Sequence, residues 1–138
     1  MYAYDIAKKE AVSLLKSAGV KDVKTEKPPK NIDADISFPC FALSKELKKS
    51  PGDIASELKA KIDKKITEKG IIKRCEILGP YLNFYLDPEK LAKSVAEDIE
   101  TMKDRYGSCD EGRNKKLIVE YVSANPIHPL HIGSARNA

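Results

Sequence analysis

The residues whose types carry the most chemistry lie near the carboxyl end, in the stretch Asn125-Pro126-Ile127-His128-Pro129-Leu130-His131-Ile132-Gly133-Ser134. It follows Leu117-Ile118-Val119-Glu120-Tyr121-Val122, a compact apolar run of the kind that forms a buried parallel strand. Ile132 to Arg136 can open a helix. Strand, loop and helix start make the first half of a nucleotide-binding unit, because a glycine at the mouth of a helix lets a nucleotide approach the backbone and the free amides there favour phosphate. A nearby histidine can donate to the charge that builds on an α-phosphate as a carboxylate attacks it, so the arrangement suits adenylate formation. Strand–loop–helix units with one glycine are common, and residue types alone leave nucleotide binding as one reading among several. His128 and His131, with a proline between them and no cysteine pair nearby, do not make a zinc site.

A second constellation lies in 81–86. Leu82, Phe84 and Leu86 share one face of a strand, and Tyr81, Asn83 and Tyr85 share the other. An exposed tyrosine can stack on an unstacked loop base while an asparagine two residues along the same face reads that base's edge. An ordinary solvated strand face accounts for the same pattern. Phe38 and Phe41 are expected in the core.

These residues need a scaffold, and the periodicity supplies one. Apolar residues from Ala3 to Ala18 fall at helical spacing, with Ile6 among the buried set and Gly19 as the stop. Val20 to Lys27 reads as a short strand ended by Pro28-Pro29. Ala34, Ile36 and Phe38 alternate with Asp35 and Ser37, which predicts a strand exposed on one face and closed by Pro39. Phe41 to Leu47 reads as a short helix. Ser50-Pro51-Gly52-Asp53 then gives a cap, a first-turn proline and an acid, and the stripe Ile54, Ala55, Leu58, Ile62, Ile66 predicts a longer helix running toward Gly70. Ile71 to Leu78 and Tyr81 to Leu86, separated by Gly79-Pro80, read as a hairpin or a bent strand. Asp87-Pro88 opens another helix, with Leu91, Ala92, Val95, Ala96, Ile99 and Met102 as its predicted buried stripe. The order implies an α+β domain, helices packed on a mainly antiparallel sheet, over residues 1–106. The polar stretch 107–114 reads as a linker, and 115–138 as the first strand and helix start of a truncated Rossmann-like catalytic domain.

Bulk properties fit this picture. The 138 residues suffice for one well-buried domain with little room for a second, and 41% hydrophobic with 33% charged residues is a folded, not a fibrous or disordered, composition. No run of about 18 apolar residues exists and the N-terminus lacks a secretory core, so a cytoplasmic location with no membrane partner is expected. Cys40, Cys75 and Cys109 are scattered and odd in number, which suggests neither a disulfide framework nor a metal or redox pair. The net charge of +4 is concentrated: Lys45 to Arg74 holds ten basic and five acidic residues, a surface that attracts polyanions or is simply solvated.

The segment VEYVSANPIHPLHIGSARNA resembles the first catalytic motif of class I aminoacyl-tRNA synthetases, and is most similar to the arginyl family. The matching positions are Val119, Glu120, Tyr121, Ser123, Asn125, Pro126, Pro129, Leu130, His131, Ile132, Gly133, Ala135 and Arg136. The resemblance implies that His131, with His128, Gly133 and Ser134, lies at ATP, and that His131 and Ser134 serve catalysis. It implies further that Ser123 and Asn125 help hold arginine. Two departures stand out: Ser134 replaces the family's second histidine and cannot carry a positive charge, and His128 stands where the family often has glycine. Residues 1 to about 106 resemble the additional N-terminal domain of the same family, through Ala34-Asp35-Ile36-Ser37-Phe38-Pro39-Cys40-Phe41-Ala42-Leu43 and Gly79-Pro80-Tyr81-Leu82-Asn83-Phe84, with Leu86-Asp87 after it. That domain grips the elbow of tRNA through its D-loop, which assigns Tyr81 and Asn83 to tRNA.

The expectation that follows is the front part of an arginine–tRNA ligase. Its parent would use ATP, with Mg2+, to activate arginine and would transfer it to its tRNA as a monomer, while this stretch alone would be inactive and hold no cofactor. Two rivals are a stand-alone RNA-binding module with a vestigial ATP motif, and a fragment of another class I synthetase or nucleotidyltransferase.

Overall fold

The computed structural model describes residues 2–110, 112–118, 127, 129, 131 and 132. The chain divides into two compact units, Met1–Tyr106 and Gly107–Ala138. The first unit holds α1 (Ala3–Ser17), β1 (Ile36–Pro39), α2 (Phe41–Leu47), α3 (Pro51–Asp63), β2 (Ile72–Leu78), β3 (Tyr81–Leu86) and α4 (Pro88–Met102), followed by a 3-10 turn, Lys103–Arg105. The unit is α+β as expected. The Rossmann-like strand falls largely outside the described residues, and Leu117 and Ile118, which are described, are not in a strand.

The sheet is antiparallel throughout, in the order β1–β3–β2. Its central strand is the hairpin's second arm, so β3 is paired on both sides: Asn83 lies opposite Ser37 on β1 and Glu76 on β2. Leu78 pairs with Tyr81 across a two-residue connection in which Gly79 takes φ +57°. A positive φ at the first central residue followed by proline, whose φ is negative, identifies a type II′ turn, the kind that matches strand twist.

Helices α3 and α4 begin as their sequences dictate. Ser50 Oγ accepts the Asp53 N–H at 3.2 Å, and Asp87 Oδ1 accepts those of Glu89 and Lys90 at 3.1 and 3.3 Å, with proline in the first turn of both α3 and α4. At the end of α1, Gly19 adopts φ +106°, a conformation that a Cβ disfavours.

The core lies between one sheet face and helices α1 and α3. Leu15, Ile36, Phe38, Ile54, Ile62, Ile72, Leu82 and Phe84 are its large members, each fully or almost fully buried. Burial of side chains this size contributes about 1.5–3 kcal/mol apiece. Cys40 and Cys75 are free thiols within the same core, and Cys109 is an exposed one.

Four expectations fail. Val20–Lys27 is not a strand: only Glu26 makes a ladder contact, an isolated bridge to Ser37. The stripe of α3 ends at Asp63, and Ile66 packs against the core from beyond the helix. Ile6 is exposed although it falls on the apolar stripe of α1. The stripe of α4 is only half covered, because that helix meets α1 rather than the sheet. Leu91 and Val95 are partly buried, Ala92, Ala96 and Ile99 are exposed, and no α4 residue is fully buried.

Candidate nucleic-acid interface

Alternation along β3 works as expected on the inner face, where Leu82, Phe84 and Leu86 are buried. The outer face carries Tyr81, Asn83 and Tyr85, flanked across the ladder by Pro39 and Ser37 of β1 and by Leu78, Glu76 and Arg74 of β2. It is not a plain solvated surface. Tyr81 and Tyr85 are half-buried, whereas Asn83 and Ser37 have 0% and 1% of their surface exposed. Asn83 and Ser37, expected on an open face, are instead enclosed. β1 is bordered on its far side by the Glu26 bridge, and Asn83 is a short side chain between two tyrosines and two neighbouring strands.

The buried pair is polar and only partly satisfied. Ser37 Oγ donates to Asn83 Oδ1 across the β1–β3 ladder. Asn83 Nδ2 is buried and has no acceptor within reach; among the described residues the one other buried side-chain polar atom without a partner is Ser44 Oγ. A buried donor left unmatched costs about 1–3 kcal/mol, so Asn83 weakens the free fold. The sheet tolerates a cost that a leucine at the same position would avoid.

Beside this pair, at the hairpin end of the sheet, stands an aromatic couple. Phe41 and Tyr81 meet edge to face with ring centroids 5.7 Å apart. Phe41 is 49% exposed, which overturns its expected place in the core. The cause is register. Pro39 pairs with Tyr81, and the Cys40 N–H then donates to the Pro80 carbonyl at 2.8 Å, so α2 starts against the hairpin turn and its first residue projects next to Tyr81. Sequence periodicity carries no information about that cross-strand pairing. Leu78, opposite Tyr81, is exposed as well, which makes this end of the sheet apolar and open. At the far end of the same face the Arg74 guanidinium lies 3.7 Å from the centroid of the Tyr85 ring and 3.4 Å from Glu76 Oε1.

Many lysines of the basic stretch already have internal partners. Lys61 and Lys65 of α3 and the turn after it donate to the Ala18 and Ser17 carbonyls at 3.4 and 2.6 Å, where the carboxyl end of α1 carries partial negative charge. Lys59 bonds Asp63 Oδ2 at 2.8 Å and the Cys75 carbonyl at 2.7 Å, and Lys49 pairs with Glu57. The Asp63 hydrogen bond raises the Lys59 pKa against the opposing effect of burial. These four charges are tied to the fold, while Lys45, Lys48, Lys64, Lys69 and Lys73 of the same stretch are exposed.

Neither core thiol is a nucleophile. Burial pushes Cys40 up to about 11, opposed by a backbone hydrogen bond at Leu82. Burial and then the hydrogen bond to Asp63, with Sγ 3.3 Å from Oδ1, push Cys75 up to about 12. Both therefore stay protonated at neutral pH.

Of the residues assigned to ATP and arginine, His131 is described and exposed, in the second unit. Ser123, Asn125, His128, Gly133 and Ser134 lie outside the described residues. No group of three or more His, Cys, Asp or Glu side chains among the described residues is placed to hold a metal, and no described helix is long and apolar enough to cross a membrane.

Residues 5–86 match the family described as Arginyl tRNA synthetase N terminal domain. The chain is 45% identical over 108 residues to an arginine–tRNA ligase of Clostridium botulinum (strain Hall), an alignment that covers 78% of this chain and 18% of that protein. It is 43% identical over the same length to the arginine–tRNA ligase of Clostridium perfringens (strain 13). In structure it is similar to Thermus thermophilus arginyl-tRNA synthetase, at TM-score 0.53 and 32% identity, covering 99% of this chain and 21% of that one. The chain thus spans about a fifth of the length of the relatives it matches. With the matched stretch running from α1 to the end of β3, and so containing the whole sheet, the chain belongs to the arginyl-tRNA synthetase N-terminal domain family.

Proposed function

We propose that residues 1–106 are the tRNA-binding N-terminal domain of an arginine–tRNA ligase, and that they grip the D-loop at the elbow of an arginine-accepting tRNA through the outer face of β3. The single observation that carries this reading is the open aromatic couple of Phe41 and Tyr81 beside a buried Asn83 amide that lacks a partner. A tyrosine ring gives a loop base a face to stack on, and each stacked base is worth about 1–3 kcal/mol. The Asn83 amide gives that base's edge a hydrogen-bonding partner, once the side chains around it part.

Residues 107–114 act as linker, and 115–138 open the ATP-binding catalytic domain. There His131 and Ser134 stabilise charge on the phosphates, with His128 and Gly133 at the nucleotide and Ser123 and Asn125 at arginine. The whole protein works in the cytoplasm as a monomer, joining arginine to its tRNA with ATP and Mg2+. The support is family membership and the run of matching positions around His131. This stretch alone does not catalyse the reaction, and arginine-dependent exchange of pyrophosphate into ATP is the assay that would reveal otherwise.

The test of the interface is a fluorescence titration of labelled arginine-accepting tRNA with the 138-residue chain and with Tyr81→Ala/Asn83→Ala. Wild type binds weakly and the double variant more than about tenfold more weakly, the loss expected for one stacked base and one hydrogen bond. Equal affinities would remove Tyr81 and Asn83 from the interface.

A further inference from the structure

The polarity of the Asn83 amide is set by a residue on another strand. Ser37 is held on both sides: its N–H donates to the Glu26 carbonyl and its own carbonyl accepts from the Glu26 N–H, both at 2.9 Å, while its other edge pairs with Asn83 in the ladder. Its backbone therefore has little freedom to turn, and its hydroxyl meets Asn83 Oδ1. A hydroxyl has one hydrogen, and here it goes to the amide oxygen. That leaves Nδ2, buried and without an acceptor, as the spare group of the pair. Turning the amide over would let Nδ2 donate to the hydroxyl oxygen, but it would leave both the amide oxygen and the hydroxyl hydrogen unmatched, two groups where the present orientation leaves one.

Resting on the reading of this face as the D-loop interface, we infer that Ser37 is a positioning residue that orients the Asn83 amide. In this orientation the interface donates to an acceptor atom of the loop base, a ring nitrogen or an exocyclic carbonyl, and accepts nothing from an exocyclic amino group. Carboxamides that read bases elsewhere use oxygen and nitrogen together. Here the oxygen is already taken, so recognition is one-sided. The base completes a hydrogen-bond set that the free protein leaves open, and a base that offers only a donor at that point finds two hydrogens facing its own.

The experiment uses the 138-residue chain and arginine-accepting tRNA transcripts in which each unpaired D-loop purine is replaced, one at a time, by an analogue lacking the exocyclic amino group or by a deaza analogue lacking one ring acceptor nitrogen. For wild type, one acceptor removal weakens binding about tenfold, the size of one lost hydrogen bond to a buried donor, and amino-group removal changes it less than about twofold. In Ser37→Ala the amide turns freely and the two penalties draw together, with Ser37→Thr, which keeps the hydroxyl, restoring the wild-type pattern. Thermal melts confirm that all three chains are folded, and a purely structural serine would not change the ratio of the two penalties. Wild-type discrimination retained by Ser37→Ala overturns the inference, and so does a larger penalty for losing the amino group than for losing any acceptor. If Tyr81→Ala/Asn83→Ala binds the unmodified transcript as wild type does, the interface reading itself fails and this inference goes with it.

Discussion

Leu82, Phe84 and Leu86 lie on one face of β3 and Tyr81, Asn83 and Tyr85 on the other, and the two faces are built for different ends. On the inner face every side chain is apolar, buried and packed against α1 and α3, and folding alone explains it. On the outer face a buried amide lacks a partner, an aromatic couple stands open at the hairpin end, and an arginine lies on a tyrosine. A face selected only for stability would replace Asn83 with an apolar residue and cover Phe41. The contrast separates residues that make the domain from the residues proposed to bind tRNA.

The comparison breaks most visibly at Phe84. Phe84→Ala empties a site in the centre of the core and is expected to destabilise the domain by about 3–5 kcal/mol, read as a shift of the denaturation midpoint. An effect below about 1 kcal/mol would mean that the inner face is not the core. Tyr81→Ala is the reverse case: its melting temperature stays within a few degrees of wild type, while affinity for arginine-accepting tRNA falls roughly tenfold. Loss of the fold instead would place Tyr81 on the structural side of the division.

The inner face also has a pH signature. Cys40 pairs with no ion and Cys75 lies opposite Phe84 in the ladder, and their folded pKa values, about 11 and about 12, stand above the ordinary 9.0. A group raised on folding contributes stability that is fully present below its unfolded pKa and lost as pH climbs through the folded one. Stability is therefore expected to hold up to about pH 9 and to decline between there and pH 12, with Cys40→Ala/Cys75→Ala showing a flatter decline from a lower starting value. A wild-type profile no steeper than that of the double variant would contradict this.

The smallest effect is expected at Lys61 and Lys65. Their ammoniums sit on the last carbonyls of α1, so Lys61→Gln/Lys65→Gln changes tRNA affinity less than about threefold while lowering the melting temperature slightly. The same reasoning makes the salt dependence of binding shallow, with log K falling by about 2 per decade of salt for some three phosphate contacts at about 0.7 each. A slope several times steeper would return the basic stretch to the interface.

What the chain discloses before folding follows the range of the interactions. Caps and turns are local, and Ser50-Pro51, Asp87-Pro88 and Gly79-Pro80 mark α3, α4 and the hairpin where the structure has them. The place of Tyr81 on the outer face is legible because alternation in β3 is local too. The burial of Asn83, its bond to Ser37 and the exposure of Phe41 come from the β1–β3 register, a pairing between residues 46 apart that no periodicity encodes. The same holds for the lysines, whose partners on α1 lie more than 40 residues away in sequence.

The most direct measurement of the central claim is an amide-resolved NMR titration of the 15N-labelled chain with arginine-accepting tRNA. The account requires the Asn83 side-chain NH2 pair and the Tyr81 backbone amide to shift or broaden together at the first additions, while the Phe84 amide and those of α4 stay in place. Perturbations confined to α3 and its lysines, with the Asn83 side chain unmoved at saturation, would contradict it.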